Sequence, residues 1–394
     1  MVRLIRTSLL ALLVVACTFV FNGGADAQEK IKVGIIGQFS GPFATAGEEY
    51  RQGIECFVAL HGTRVGGREV ELIFRDVGGS NPATAKRLAE ELIVKDKVSI
   101  IGGFFLSPES FAAASVLTET KTPGVIFNGA TPSIVKQSPY FVRVGDTMTQ
   151  VAAPQAEFAL KNGKKRFYIA VADYAPGIAT EEAAKKVILE KGGEIVGTDR
   201  IPLNTVDFAP YAERIANAKP DAVVAFLVTG APAVSALKAL AARGILGSDK
   251  VLVVGQAETD DPDLHLFDDS VLGFYSSHHY ASGLKNSENA KFKEIFQKKF
   301  GANTPIGLFV PPAYDGLRVI YKMIESQQGK PFDGTAAINA VRGFSFDSPR
   351  GPAKIEADTR DITMNVYIRK VEKVNGQKAN VVVDTFPARK GSEP

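Results

Sequence analysis

Serine, threonine and glycine residues cluster in short turns that follow the apolar runs of this sequence. Ser107, Ser110 and Thr131 lie in two such turns, at the start of helical or turn segments. Backbone N–H groups and hydroxyls at helix starts favour anions, carboxylates in particular. A hydroxyl at such a place also caps its own helix in many proteins, so one residue alone indicates either role. Three of them in two adjacent turns favour a carboxylate-binding site.

The motifs that identify many enzymes are missing. The sequence contains no GxSxG, HExxH, GxxxxGK[ST] or GxGxxG segment, which argues against the common hydrolase, protease and nucleotide-binding sites. The adjacent His278 and His279 would face opposite sides of a strand, which disfavours one shared metal ion. We therefore expect no enzyme activity, no metal and no cofactor. An exported hydrolase whose triad is assembled only in space is the alternative.

Composition excludes several other classes of protein. The 394 residues carry a net charge of +3, and the longest basic run is Lys164–Arg166, so a nucleic-acid-binding surface is not indicated. Two cysteines and no CxxC pair exclude a disulfide-dense scaffold and a cysteine zinc site. At ~100–200 residues per domain, the length predicts two or three domains.

The N-terminus has the pattern of a secretory signal. Arg3 and Arg6 precede an apolar run, Leu9–Phe21, and Ala25–Ala27 supplies a small-x-small cleavage site. The signal would direct export of the chain, and cleavage after Ala27 would leave Gln28 as the mature N-terminus. The alternative is a lipid anchor on Cys17. Either processing leaves Cys56 without an intrachain partner, and we expect it to pack as a small apolar residue.

From residue 31 onward, short β-rich runs alternate with helical patterns, which indicates βαβ units and parallel sheets covered on both faces. There are two such series, one beginning at Ile31 and one at Phe167. Asn81-Pro82 predicts a helix start. Asn375-Gly376 predicts an antiparallel hairpin between Met364–Val374 and Lys378–Thr385. We therefore predict an α/β fold with two doubly wound lobes.

The order of several segments resembles the branched-chain amino acid-type (Leu/Ile/Val-binding protein-like) substrate-binding proteins of ABC transporters. The matching segments are Ile35–Pro42, Gly67–Asp76, Asn81–Ala85, Asn128–Pro132 and Ala313–Gly316. The resemblance covers nearly the whole chain after the signal. It implies a type I periplasmic binding protein whose two lobes are joined by a three-crossing hinge, near residues 145–149, 274–280 and 357–362. It also implies a monomer that closes on its ligand and docks on a membrane permease.

On this basis residues 1–27 are a signal peptide. Residues 28–146 and 276–358 form lobe 1, and residues 147–275 and 359–394 form lobe 2. A ligand-sensing receptor module is the alternative to a transport function.

The resemblance also implies a ligand site in the cleft between the lobes. In such proteins a turn and a nearby serine of the first lobe hold the ligand carboxylate, and the second lobe supplies an aromatic residue, a turn and an acid that takes an ammonium. The corresponding residues here are Ser107 or Ser110, Gly129, Ala130, Thr131, Tyr174, Thr229, Gly230 and Glu258.

This sequence departs from that pattern at two points. Direct counting places Gln256 or Ala257, rather than Glu258, at the acidic position, and the usual N-terminal disulfide is impossible. Phe39, Phe43, Phe105 and Tyr174 make an aromatic or aliphatic carboxylate the alternative ligand to an amino acid.

Overall fold

The computed structural model describes residues 30–227, 229–247 and 250–391. The predicted signal, including Cys17 and the cleavage site after Ala27, lies outside the described residues. Among the helices described, none combines the length and the apolar character that crossing a membrane requires.

The first sheet has six strands in the order β2-β3-β1-β4-β5-β6. Its strands are β1 (Ile31–Gly37), β2 (Arg64–Val65), β3 (Arg68–Asp76), β4 (Ile100–Gly103), β5 (Gly124–Ile126) and β6 (Phe141–Arg143). Every pairing is parallel except that of β2 with β3. Apart from Lys32, the central strands β1 and β4 consist of apolar residues and glycine, because helices cover both faces of a parallel sheet.

The second sheet has the order β12-β13-β14-β11-β10-β9-β7-β8, with β15 paired to β14. Its strands are β7 (Arg166–Ala172), β8 (Glu194–Ile201), β9 (Ala222–Phe226), β10 (Leu252–Gly255), β11 (Tyr275–His278), β12 (Ser345–Ser348), β13 (Gly351–Ile355), β14 (Ile362–Val374) and β15 (Gln377–Lys390). Strands β7 to β11 pair in parallel, whereas β12 to β15 add an antiparallel part.

The helices connect these strands in the manner of βαβ units. They are α1 (Ala44–His61), α2 (Pro82–Val94), α3 (Ser107–Thr120), α4 (Met148–Lys161), α5 (Ala175–Glu190), α6 (Ala209–Ala218), α7 (Ala231–Ala242), α8 (Ser287–Phe300), α9 (Val310–Glu325) and α10 (Gly334–Val341). Asn81 caps α2 by accepting the N–H of Thr84, as predicted. α3 and α5 have Pro108 and Pro176 in their first turns, where the missing N–H of proline costs no helical hydrogen bond.

The predicted antiparallel hairpin is confirmed. Asn375 and Gly376 have φ angles of 52° and 81°, the left-handed backbone that a two-residue hairpin turn between twisted strands requires. The second strand continues to Lys390, beyond the predicted end at Thr385.

The apolar side chains form several cores. The first core joins β1, β4 and β5 to α1, α8 and α9, although α8 and α9 follow the second series along the chain. It also takes in Ala353, Ile355, Ile362 and Met364 from β13 and β14 of the second sheet. The second core joins β7 and β9 to α6 and α7. We call the first core with its sheet the first body, and the second core with its sheet the second body. The chain leaves the first body after its sixth strand and returns to it with α8. The predicted lobe boundaries at 146/147, 275/276 and 358/359 stay predictions.

Cys56 lies fully buried in the first core. Burial raises the pKa of its thiol to about 12, so the side chain packs as a small apolar group, as expected from the sequence.

Three buried arginines bind in or beside the segments predicted as crossings between the lobes. Arg143 forms an ion pair with Asp361, with Nε 2.6 Å from Oδ1. Arg350 pairs with Asp315 and donates to the carbonyl of Val144. A further set of bonds joins Arg369 to the carbonyls of Gln256 and Tyr280. Each guanidinium is compensated by acids or carbonyls, the condition under which a buried charge is tolerated.

Candidate functional site

A cavity of about 220 Å³ lies between the two sheets, beyond the carboxyl ends of their parallel strands. Ligands of open α/β sheets bind at this edge. Its lining comprises Phe43, Ser80, Phe105, Leu106, Ser107, Pro108, Asn128, Ala130, Asp146, Met148, Tyr174, Pro176, Leu203, Phe226, Thr229, Gln256, Ala257, His278 and Phe309. Turns that follow strands of both sheets contribute to this list, so the cavity is the candidate for the predicted ligand site.

Aromatic rings form two facing parts of the cavity wall. On the first body, the ring centroid of Phe105 lies 5.8 Å from that of Phe43 and 5.0 Å from that of Phe309. On the second body, Tyr174 and Phe226 stack with centroids 5.9 Å apart and planes inclined by 19°. Two such walls suit a flat apolar ligand, because offset and edge-on ring contacts add to the free energy of burial.

Phe39, which the sequence also suggested for the wall, does not line the cavity. Its ring packs edge-on against Phe74, and the guanidinium of Arg51 lies 4.4 Å from its centroid.

Five helices begin at the cavity. The lining includes the N-cap or first-turn residues Phe43 of α1, Leu106 of α3, Met148 of α4, Tyr174 of α5 and Phe309 of α9. Helix N-termini carry partial positive charge and attract anions. No described lining residue is a lysine or an arginine, so these backbone dipoles, rather than a cationic side chain, favour an anionic ligand here.

The first-lobe residues predicted for the carboxylate come together as one cluster. Ser107 and Ala130 line the cavity, and the N–H of Thr131 donates to Ser107 Oγ at 3.2 Å. Ser110 lies behind this turn, with Oγ 2.9 Å from the point where a Cβ on Gly129 would stand. The Oγ atom of Ser110 and the Oγ1 atom of Thr131 are buried and have no hydrogen-bond partner among the described residues.

None of these three hydroxyls caps the helix at its own position. α3 has Leu106 as its N-cap, and Thr131 makes no side-chain bond at the start of the 3-10 helix that follows it. The capping alternative from the sequence is therefore not what the structure shows for Ser107 and Thr131.

On the second lobe the predicted residues divide into two groups. Tyr174 and Thr229 line the cavity, whereas Gly230 and Glu258 do not. The carboxylate of Glu258 accepts the N–H groups of Leu227, at 2.7 Å, and of Gln256. Burial raises its pKa to about 7. Glu258 thus holds two turns of the second lobe together, and Gln256 lies at the cavity in its place.

Gln256 is fixed by the core behind it. Its Nε2 atom donates to Gln155 Oε1 at 3.0 Å and to Thr180 Oγ1 at 3.2 Å. Its buried Oε1 atom has no partner within the described part of the chain.

Asp146 and His278 line the cavity and were not predicted as site residues. Both lie in segments predicted as hinge crossings, near 145–149 and 274–280. Polar residues inside those segments were the signal that would have identified them.

Asp146, His278 and His279 form the one group in the described residues with metal-binding spacing, since their ligand atoms lie within 4.8 Å of one another. The two rings meet edge-on with centroids 4.4 Å apart, because β11 ends at His278 and the expected strand alternation ends with it. Burial first, with the positive charges of Arg350 and Arg369 adding to it, holds the pKa of both imidazoles well below its ordinary value. That potential also opposes a metal cation, and we assign no metal to this group.

Comparison with known proteins places this architecture among binding proteins. Residues 30–378 match the family described as Periplasmic binding protein. A curated relative, "Leu/Ile/Val-binding protein homolog 6" of Brucella melitensis, is 40% identical over 370 residues, which cover 93% of this chain and 95% of the relative.

Two similar solved structures contain aromatic acids. The solute-binding protein of an ABC transporter from Rhodopseudomonas palustris HaA2, in complex with p-hydroxybenzoic acid, is 42% identical with a TM-score of 0.88. The corresponding protein from Rhodopseudomonas palustris BisB5, in complex with 3,4-dihydroxybenzoic acid, is 36% identical with a TM-score of 0.85. Each comparison covers 92% of this chain and 98% of the other.

Proposed function

Since the chain belongs to the periplasmic binding protein family, we propose that it captures a small aromatic carboxylate between its lobes and delivers it to the membrane permease of an ABC transporter. The observation that carries the proposal is the cavity itself. It joins two aromatic walls to five helix N-termini and contains no described cationic side chain. A flat anion fits this combination.

The carboxylate is held by the first lobe in this proposal. Ser107 Oγ lies at the cavity, and the buried hydroxyl of Thr131 stands in the turn beside it. The ring lies between Phe105 on one side and the Tyr174–Phe226 pair on the other. Since these walls come from different bodies, the ligand stabilises a closed arrangement of the lobes through its differential contacts.

Branched-chain amino acids are the second candidate ligand, because curated relatives at 40% identity carry a Leu/Ile/Val-binding name. The position of Glu258 argues against them. Its carboxylate is occupied by two backbone N–H groups, so the ammonium partner implied by the resemblance is not at the cavity. The uncharged Gln256 stands there instead.

The proposal places the protein in the periplasm after removal of the N-terminal signal. This location follows from the family and from the Leu9–Phe21 pattern. A sensory receptor module would bind the same ligand but would act on a different partner protein. Ligand-binding measurements therefore test the binding step that both functions share.

A thermal-shift screen with benzoate, its ring-substituted derivatives, leucine and phenylalanine tests the proposal. A ligand that binds only the folded protein stabilises it by about 2.7 kcal/mol at 100 times its Kd. We expect at least one aromatic carboxylate to raise the melting temperature and the double variant Ser107→Ala, Thr131→Ala to abolish most of that shift. Ser133→Ala, an exposed serine of the same segment, is the matched control. A shift that survives the double variant contradicts the carboxylate site.

A further inference from the structure

We propose that Asp146 accepts a hydrogen bond from a hydroxyl group on the ring of the ligand, so that the protein selects hydroxylated aromatic carboxylates over unsubstituted ones. This inference rests on the proposed function and specifies its substrate class. Asp146 follows β6 at the place where the chain leaves the first body, and its side chain lines the cavity.

One oxygen of the Asp146 carboxylate, Oδ2, lacks a hydrogen-bond donor among the described residues. The residue is 2% exposed, and its Oδ2 atom accepts no hydrogen bond from the described residues. A buried carboxylate without such donors is destabilised, because it has lost the hydrogen bonds that water supplied. The unpartnered Oδ2 atom is therefore the acceptor that a donor group carried by a ligand would satisfy.

The two arginines near Asp146 form their hydrogen bonds with other groups. The guanidinium of Arg143 binds Asp361 and the carbonyls of Gly129, Thr131 and Pro132. That of Arg350 binds Asp315 and the carbonyl of Val144. Both act on Asp146 only as nearby positive charges.

The histidines do not satisfy Asp146 either. His279 Nε2 lies 3.4 Å from Asp146 Oδ1, but neither ring nitrogen of His279 has a hydrogen-bond partner among the residues described. The Nδ1 atom of His278 accepts the N–H of His279 at 3.0 Å. The donor for Oδ2 of Asp146 is left to the ligand.

A neutral hydroxyl fits this place better than an ammonium group. Positive charge on Arg350 and Arg369 adds to burial in keeping His278 and His279 unprotonated. The same potential acts on any cation beside them. A phenolic O–H brings the required donor without a charge, and the aromatic walls hold the ring that carries it.

Asp146 is ionised at neutral pH and thus serves as an acceptor. Burial raises its pKa to about 6, while a hydrogen bond from its own backbone N–H and then the charges of Arg350 and Arg143 limit the rise. A hydrogen bond to an ionised group in a site without bulk water is stronger than one between neutral groups. The loss of such a bond corresponds to about a ten- to hundredfold change in affinity.

Isothermal titration calorimetry with benzoate, 3-hydroxybenzoate, 4-hydroxybenzoate and leucine tests the inference on the wild type and on Asp146→Asn. The measured quantity is the ratio of the benzoate Kd to the Kd of the better hydroxybenzoate. We expect a ratio of at least 10 for the wild type, and a ratio for Asp146→Asn that is at least tenfold lower, with benzoate binding changed much less. Asp173→Asn, an exposed acid beside Tyr174 that does not line the cavity, is the matched control and keeps the wild-type ratio.

The outcomes separate this inference from the proposed function. Benzoate and both hydroxybenzoates binding the wild type equally well would overturn the hydroxyl role of Asp146 while leaving aromatic capture intact, and this result needs no variant to fold. Leucine binding that Asp146→Asn abolishes would also overturn it, because Asp146 would then hold an ammonium. A wild type that binds none of the three aromatic acids contradicts the proposed function itself.

Discussion

Replacing Phe226 by leucine should weaken the binding of an aromatic carboxylate without removing the apolar wall. Phe226 is 7% exposed at the cavity, and its ring stacks on that of Tyr174 at 5.9 Å. A leucine at this position keeps an apolar side chain there but no longer offers an aromatic face. Aromatic pairs contribute about 0.5–1.5 kcal/mol beyond area burial, which corresponds to about a two- to twelvefold rise in Kd.

Calorimetric titration with benzoate and with cyclohexanecarboxylate separates ring contacts from simple apolar burial. Both ligands carry the same carboxylate, but only benzoate has an aromatic face. We expect Phe226→Leu to raise the Kd of benzoate by the larger factor. Phe208→Leu changes a buried phenylalanine of the same lobe that does not line the cavity, and it should lower stability while leaving both affinities unchanged.

Two results would refute this reasoning. An unchanged benzoate Kd in Phe226→Leu would mean that the Tyr174–Phe226 pair does not contact the ligand. An equal loss for both ligands would mean that Phe226 contributes shape alone.

Other consequences of the structure can be measured in the same protein. Burial first, with the charge of Asp260 adding to it, raises the pKa of Glu49 well above its ordinary value, so the folded state binds this proton at higher pH than the unfolded state. The free energy of unfolding should therefore be higher at pH 6.5 than at pH 8, and Glu49→Gln should reduce this difference. Urea titrations at both pH values measure it. A wild type that is equally stable or more stable at pH 8 would contradict this prediction. Asp361→Asn removes the charge that compensates the buried Arg143 and should lower the free energy of unfolding by about 3–5 kcal/mol, the cost of breaking a buried pair; a loss below 1 kcal/mol would show that the backbone carbonyls suffice. Cys56 should react with a thiol reagent only after unfolding, because its buried thiol has a pKa of about 12; rapid labelling of the native protein would contradict this.

The alternation of strands and helices could be predicted from the sequence because the period of the apolar residues changes from one kind of element to the next. The hairpin at Asn375-Gly376 was equally accessible, since its turn residues specify a left-handed backbone. The first residues of the helices were harder to predict. Pro108 and Pro176 stand in the first turns of α3 and α5, where proline is accepted and does not mark a break.

Only some of the residues at the cavity were predicted from the sequence, for a physical reason. Ser107, Ala130, Tyr174 and Thr229 were accessible because strand-end turns face the cleft in this class of fold. The role of Glu258 could not be predicted, because an acid in a turn can bind either a ligand or neighbouring backbone N–H groups. Only the three-dimensional arrangement shows which of the two it binds. Asp146 and His278 line the cavity from segments predicted as crossings between the lobes, where the strand-end rule gives no reason to expect ligand-binding residues.

The central claim, capture of an aromatic carboxylate, is tested most directly by the equilibrium Kd values of wild-type protein for leucine and for the best aromatic acid of the screen. The cavity, with its two aromatic walls and its uncharged Gln256, predicts that the aromatic acid binds at least a hundredfold more tightly than leucine. Leucine binding as tightly as, or more tightly than, every aromatic acid would contradict it.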